Sequence, residues 1–335
     1  MAKNITPAIQ KIEAKKAAQK GKNRKTGPVY EAWLRLVRNR TAILGLVILV
    51  VLVLVAIFAP VIAPYGYDEI SMSDKLVGPC LAHPFGTDQL GRDMFTRCIY
   101  GTRITLPVAV LAVTVAVLVG GTIGVIAAYF GGSVDNILMR FVDIWGSIPG
   151  IMLAIAIVAV FSGEGASTFQ RELSIVCGLS MGAVPNMART FRGAIFTVID
   201  NDYVESSRSM GASAGRIMLK HLLPNAVGPV ILSVVGLLGV EVLCVSALSF
   251  VGIGITPPTP EWGALLSAGK QYMSTAPYLC LYPGVMIMLS VLGFNLLGDG
   301  LRDALDPRLK YKEVKHNGKQ QECACCQGGR PRHPL

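Results

Sequence analysis

Charged side chains are scarce in this sequence. They make up 16% of its 335 residues, where soluble domains carry roughly 25%. They are also bunched: no Asp, Glu, Lys or Arg occurs in the 27 residues from Thr41 to Tyr67, the 31 from Ile104 to Val134 or the 28 from Gln271 to Gly298. A helix needs about 20 apolar residues to cross the roughly 30 Å hydrocarbon layer. The scarcity therefore excludes a water-soluble enzyme and implies a polytopic membrane protein. The short alternating pattern of a membrane barrel is missing too, which leaves helices. No glycine-rich phosphate loop with Lys and Ser/Thr occurs, so the chain cannot itself cradle ATP in the usual manner. A membrane-embedded enzyme would need paired groups such as H-E-x-x-H or G-x-S-x-G inside spans. The spans hold neither, so no catalytic residue and no cofactor are expected.

What is present is 52% hydrophobic residues, arranged as six candidate spans. These are Thr41–Ala63, Thr105–Phe130, Leu138–Phe161 (with Asp143 near its start), Leu173–Arg189, Ala226–Phe250 (with Glu241) and Tyr278–Gly298. The internal prolines Pro149, Pro185, Pro229 and Pro283 are compatible with membrane helices, because neighbouring helices satisfy the freed backbone groups. Six crossings put both termini on one side. Residues 1–40 carry 11 basic against 2 acidic residues, 299–335 carry 8 against 5, and the loop 189–224 carries 5 against 3. The opposite loops, 64–104, 162–172 and 251–277, hold 4 against 5, 1 against 2, and 1 against 1. Lys/Arg bias sets orientation, so both ends are expected in the cytoplasm of a cell-membrane protein. The +10 net charge is then mostly topology. The basic leader (Lys15, Lys16, Lys20, Lys22, Arg24, Lys25) reads as a tail touching anionic lipid, not as a nucleic-acid surface, since no accompanying aromatic surface is present.

Cysteines and histidines offer little chemistry. Cys177, Cys244 and Cys280 lie in or near spans and read as packing residues. Cys80 and Cys98 share one outer loop, where they either pair or stay free. Cys323, Cys325 and Cys326 form C-x-C-C in the tail near His316 and His333. A metal site needs about four regularly spaced ligands, so reduced thiols are expected there and no metal. His83 has no second ligand nearby and reads as a loop hydrogen-bonder.

The loop between the fourth and fifth spans is the richest segment. It runs Asp202-Tyr203-Val204-Glu205-Ser206-Ser207-Arg208-Ser209-Met210-Gly211, then reaches His221-Leu222-Leu223-Pro224. Asp202 as N-cap with Glu205 three residues later predicts a capping box, and Gly211 a helix stop. A second segment, about Ala214 to Leu222, is expected to end before Pro224, which restarts the chain into the fifth span. A short capped helix at one end of a bundle either packs on its own protein or docks a partner. Among ionisable residues in spans, Asp143 either faces the pore or, the preferred reading, pairs with Arg140 one turn earlier. Glu241 is either cavity-facing or bonded between helices. Gly236 and Gly239 are expected to allow close helix packing.

Glu205-Ser206-Ser207, three residues, Gly211, nine residues and His221-x-Leu223-Pro224 resembles the EAA loop of ABC importer permeases, with serines for the two alanines and histidine for an isoleucine. His83-Pro84-Phe85-Gly86-Thr87-Asp88 with Leu90-Gly91-Arg92-Asp93 resembles the outer-loop signature of the second permease subunit of dipeptide and oligopeptide importers. Leu248–Gly254, Pro260-Glu261-Trp262-Gly263 and Asn295–Arg308 are similar to later segments of that subunit. The resemblance covers about Trp33 to Lys310.

It implies an all-α, type I importer permease of six transmembrane helices over residues 41–310, with a basic segment (1–40) and a Cys-containing tail (311–335) added. It also implies the partners: a second, related permease subunit, two cytoplasmic ATPases and an extracytoplasmic substrate-binding protein. Asp202, Tyr203, Glu205, Ser206, Ser207, Gly211, His221, Leu223 and Pro224 would form the ATPase-coupling loop. The cargo implied is a dipeptide or oligopeptide, with a nickel or metal-chelate importer as the variant within the family. An ion-coupled secondary transporter is the reading from another class, which would call for an internal repeat that the sequence does not display.

Overall fold

The computed structural model describes residues 36–37, 39–163 and 165–305. The basic leader, the tail cysteines Cys323, Cys325 and Cys326, His316 and His333 lie outside the described residues. The chain divides into two units, residues 1–43 with 299–335, and residues 44–298. In the first, the Asn39 side-chain amide donates to Asp303 Oδ2 at 3.1 Å. The second holds the site.

Among the described residues there is no strand, only an isolated bridge between Thr87 and Asp93. The principal helices are α1 (Arg40–Ile62), α2 (Met94–Phe130), α3 (Gly132–Gly146), α4 (Gly150–Phe161), α5 (Thr168–Phe196), α6 (Asp202–Ser209), α7 (Ala214–Ile217), α8 (Leu223–Val251), α9 (Trp262–Gly269) and α10 (Tyr278–Leu305). Four rods are long and apolar enough to cross a membrane: α1, α2, the run Ala214–Val251 and α10. Counting the bent pair α3 and α4 as one span makes five.

Six apolar spans are not reproduced one for one, and the departures fall at two places. The third candidate is two helices bent by 75°. Pro149 stands at the N-cap of α4 in an extended conformation, and the residue before a proline is pushed out of the helical region. The fourth candidate lies within α5, a longer and more polar helix that carries Arg171, Glu172, Arg189 and Arg192. Its length suffices but its hydropathy does not. Instead it is sheathed, with Ile175, Leu179, Val184, Met187, Phe191 and Ile195 buried along one side.

Glycines set how closely these helices approach. A Cβ on Gly120 would lie 2.6 Å from the Val184 carbonyl oxygen, and one on Gly124 would collide with the Ala188 carbonyl oxygen, so α2 and α5 meet backbone to backbone. Gly182 against Gly150, and Gly178 against Ala154, do the same for α5 and α4. The expected pair behaves otherwise: Gly236 has nothing within 4 Å, and Gly239 makes only ordinary contact with Phe294 and Asn295.

Helix α2 starts well before Thr105 because Asp93 caps it, its carboxylate accepting from the Thr96 backbone N–H at 2.7 Å. The segment before it is folded onto α10. Tyr278 donates its hydroxyl to the carbonyls of Val77 and Thr87 at 3.0 and 3.2 Å, and Phe85 stacks on Tyr282 at 3.9 Å. His83 hydrogen-bonds Asp93 Oδ1 at 3.0 Å and stacks on Tyr65. Cys80 and Cys98 are both free, one exposed and one buried in the first turns of α2, so no disulfide joins them. Between α8 and α10, Glu261 caps α9. It is fully buried and accepts from the Ala264 N–H, Thr105 Oγ1 and Ser246 Oγ at 3.0, 3.1 and 3.2 Å. Trp262 donates its indole N–H to the Cys98 carbonyl at 3.0 Å.

Candidate functional site

The segment between α5 and α8 forms the candidate site. Its short helix α6 begins one residue earlier than a capping box on Asp202 requires. The N-cap is Asn201, extended at φ −76° and ψ 143°, and no side chain caps the helix. Asn201 instead spends its amide on the Val198 carbonyl at 2.9 Å, while Asp202 and Glu205 sit in the first turn, where negative charge suits the helix dipole.

One row of α6 faces inward. Val204 is 1% exposed and Ser207 is buried beside it. Val204 enters a cluster formed by Val125 and Ala128 of α2, Phe191, Ala194 and Ile195 of α5, Ile217, Leu222, and Ala226 and Val230 of α8. Burying a valine stabilises by about 1.5–3 kcal/mol, so this residue is the keel that seats the helix. The Arg208 guanidinium lies 5.2 Å from the centre of the Tyr129 ring, a second tie to α2 of the cation–π kind. The two serines keep the helix slim by turning inward on it. Ser206 and Ser207 donate their hydroxyls to the Asp202 and Tyr203 carbonyls one turn back, each at 2.8 Å. Asp202, Tyr203, Glu205, Ser206 and Arg208 are left exposed. Beside them opens a hollow of about 550 Å³ that Asp200, Asn201, Glu205, Arg208 and Ser209 help to line.

Gly211 ends the helix as expected. Its φ is +76°, its N–H bonds the Arg208 carbonyl at 2.9 Å, and the Ala212 N–H reaches back to Ser207 at 3.1 Å. This pair of bonds is the Schellman arrangement, which uses a glycine for its left-handed residue.

The continuation departs from expectation. Pro224 does not separate two elements: α7, a π-helical turn over Met218–Leu222, and α8 run on as one rod. Proline lacks the N–H that would bond Lys220, and its ring crowds that carbonyl. The turn widens, with the Leu223 N–H reaching Met218 five residues back. The Asn225 side chain satisfies the His221 carbonyl at 2.7 Å. His221 and Leu223 are half-buried on this turn and Pro224 is exposed. Gly211-Ala212-Ser213-Ala214-Gly215 also spells G-x-S-x-G letter for letter, outside the spans. That string makes a nucleophile elbow where a strand turns into a helix, and here it joins two helices.

The remaining ionisable candidates are placed apart from α6. Asp143 does not pair with Arg140; it accepts from Arg189 of α5 at 3.2 Å, with both side chains exposed. Asp135 meets Arg192 as a two-pronged fork, both contacts at 2.6 Å, so two ion pairs strap α3 to α5. Helical spacing on one element could not reveal partners on another. Glu241 is 5% exposed, and its Oε2 has no hydrogen-bond partner. Among the described residues, no group of three or more metal-ligating side chains gathers. Sequence reasoning missed Val204, Arg208 with Tyr129, and the glycine seam of α2. A signal for Val204 existed: it is the apolar residue of an otherwise polar eight-residue helix.

Residues 120–311 match the family of binding-protein-dependent transport system inner membrane components, and residues 27–82 match the N-terminal transmembrane domain of oligopeptide transport permease C. The chain is 41% identical to the dipeptide transport system permease protein DppC of Alkalihalophilus pseudofirmus, over 84% of this chain and 91% of the relative. It is 39% identical to the glutathione transport system permease protein GsiD of Pectobacterium atrosepticum, over 84% and 92%. Among solved structures, the inward-facing MetNI methionine ABC transporter shares its fold, with TM-score 0.51, 23% identity and coverage of 64% of this chain and 98% of that one.

Proposed function

This chain belongs to the family of binding-protein-dependent transport system inner membrane components, and from that membership we propose that it forms half of the pore of an ATP-driven peptide importer and is driven through α6. As a permease subunit it is a non-catalytic membrane component. The relatives named for dipeptide and glutathione transport support a short peptide as cargo. The partners follow from the same reading: a second permease subunit, two cytoplasmic ATPases and an extracytoplasmic binding protein. The basic-residue bias of the loops supports cytoplasmic termini in the cell membrane.

The observation that carries the coupling role is the division of α6 into two faces. Val204 fixes it among α2, α5 and α8, while Asp202, Tyr203, Glu205 and Arg208 are exposed, Glu205 and Arg208 lining an open hollow. A helix rooted in three others and open on its far side is built to receive a partner and pass on its displacement. Gly211, His221, Leu223 and Pro224 shape its exit into α8. Transport is then a shift between inward- and outward-facing states, driven by the different affinity of ATP for each. Asp143 serves the strap to α5. Glu241, buried without a partner, is assigned to the pathway, where water would reach it as the helices part.

The test is Glu205→Lys in the complete importer reconstituted in liposomes with its ATPases and binding protein. The variant is expected to insert and assemble, and to lose ATP-driven uptake. Uptake at the wild-type rate would remove α6 from the coupling path. Collapse of uptake on dissipating ion gradients, with ATP maintained, would instead point to an ion-coupled carrier.

A further inference from the structure

An open groove of about 680 Å³ runs between α2 and α8, and the coupling reading leaves it unfilled. Its floor is Phe191 of α5, which comes within reach because Gly121 has no side chain: a Cβ there would stand 3.0 Å from the ring. Leu219, Val227 and Val234 line it along the rod of α7, the π turn and α8. From Leu219 to Val234 is about 22 Å at roughly 1.5 Å per residue. That exceeds the depth of one leaflet, half of a hydrocarbon layer roughly 30 Å thick. The walls stand open to the surroundings, Leu118 being 64% and Leu219 70% exposed.

The lining offers almost nothing to hydrogen-bond. Its side-chain hydroxyl, Thr122, already donates to the Leu118 carbonyl at 2.6 Å. A peptide laid there would leave its N–H and C=O groups without partners, which is strongly unfavourable away from water; hydrocarbon carries no such penalty. At the end nearest α6 the chemistry changes. Arg216 and Lys220 stand one turn apart, on the same turns that give Gly215 and Leu219 to the groove. Both are exposed, and neither forms an ion pair among the described residues. Two unpaired cations at the mouth of an apolar trough complement a molecule with an anionic head and a hydrocarbon tail. A purely apolar helix would fill the trough and leave both charges uncompensated.

We propose that the groove binds an anionic phospholipid, with one acyl chain lying over Phe191 from Leu219 to Val234 and the phosphate between Arg216 and Lys220. Phe191 and Val230 line the groove and also belong to the seat of Val204, so the bound chain backs that seat from the bilayer side. The assignment stands on the groove and its two cations and holds whether or not α6 is the coupling element.

Native mass spectrometry of the complete importer, purified in detergent and titrated with phosphatidylglycerol or phosphatidylcholine of identical acyl chains, is the direct test. Two cations beside an anionic headgroup should favour phosphatidylglycerol by about 30-fold at the tightest site. Arg216→Gln combined with Lys220→Gln should bring its affinity down to that of phosphatidylcholine. Val227→Trp, which fills the groove, should displace both lipids from that site. Should the tryptophan variant fail to assemble, the paired glutamine variant decides, since it alters only exposed side chains. Equal binding of the two lipids by the wild type, a preference untouched by the glutamine pair, or a partner subunit's helix seated in the groove would overturn the proposal.

Discussion

Gly211 isolates the backbone contribution to the proposed coupling, because a side chain placed there meets nothing within 4 Å. Only its φ of +76° and its N–H bond to Arg208 are at stake. A left-handed conformation costs an ordinary L-residue roughly 1–2 kcal/mol, so Gly211→Ala should lower the population of the closed cap by a factor of about 5–30. Asparagine tolerates that conformation better, and Gly211→Asn should fall between the two. Proline is held near φ −65° and has no N–H, so Gly211→Pro loses both the angle and the bond and should abolish the cap. The readouts are amide exchange at Ala212, whose N–H closes on Ser207, and ATP-driven uptake by the reconstituted importer. Exchange should quicken and uptake fall in the order Gly, Asn, Ala, Pro. Unchanged exchange in Gly211→Ala, or wild-type uptake in Gly211→Pro, would refute the claim that the cap holds the lever in place.

The glycine seam and the buried cap supply two more tests. Gly124→Val forces a side chain into the Ala188 carbonyl, where backbone cannot yield; overpacking of this kind costs about 1–3 kcal/mol or more. The importer should melt markedly lower, while Gly236→Ala, in open space, should stay within about 1 kcal/mol of wild type; the reverse order would contradict the assigned seam. Burial raises the Glu261 carboxyl above its ordinary value of 4.5, so the folded state retains a proton that the unfolded chain has released. The stability linked to Glu261 is present below that ordinary value and is lost as pH rises through the higher folded-state value. Melting temperatures should therefore decline across that window in wild type and less steeply in Glu261→Gln, and parallel slopes would refute the assignment.

The apolar runs made the rods legible, because no soluble arrangement accommodates 27 to 31 residues without charge. Their boundaries were less so. Apolar length marks what lies in lipid, whereas Asp93, Asn201 and Gly211 mark where helices begin and end, and Asp93 caps α2 well before its charge-free run. The spacing from Glu205 to Pro224 was readable as a motif, yet the π turn was not, since it arises from one missing N–H inside a continuing helix. Partners across helices were invisible. Asp143 finds Arg189 and Asp135 finds Arg192 only once α3 and α5 lie together. For the same reason Gly236 and Gly120 look equivalent in sequence, and only the second touches another backbone.

The seat of α6 joins elements of unequal stiffness. Its residues from α2 and α5 belong to helices that meet through backbone at Gly120 and Gly124, and close-packed interiors transmit strain without deforming. Those two helices must follow α6 together. Helix α8 contributes Ala226 and Val230 to the same seat, but it enters through the widened turn at Met218–Leu222, and at Gly236 it has open space beside it. A π turn breaks the regular hydrogen-bond ladder and is a place where helices bend. On the proposed coupling, a displacement of α6 would translate the α2–α5 pair as a body and tilt α8 against it. Glu241 lies on that rod, so under the same proposal the surroundings of its unpartnered Oε2 would change with the position of α6.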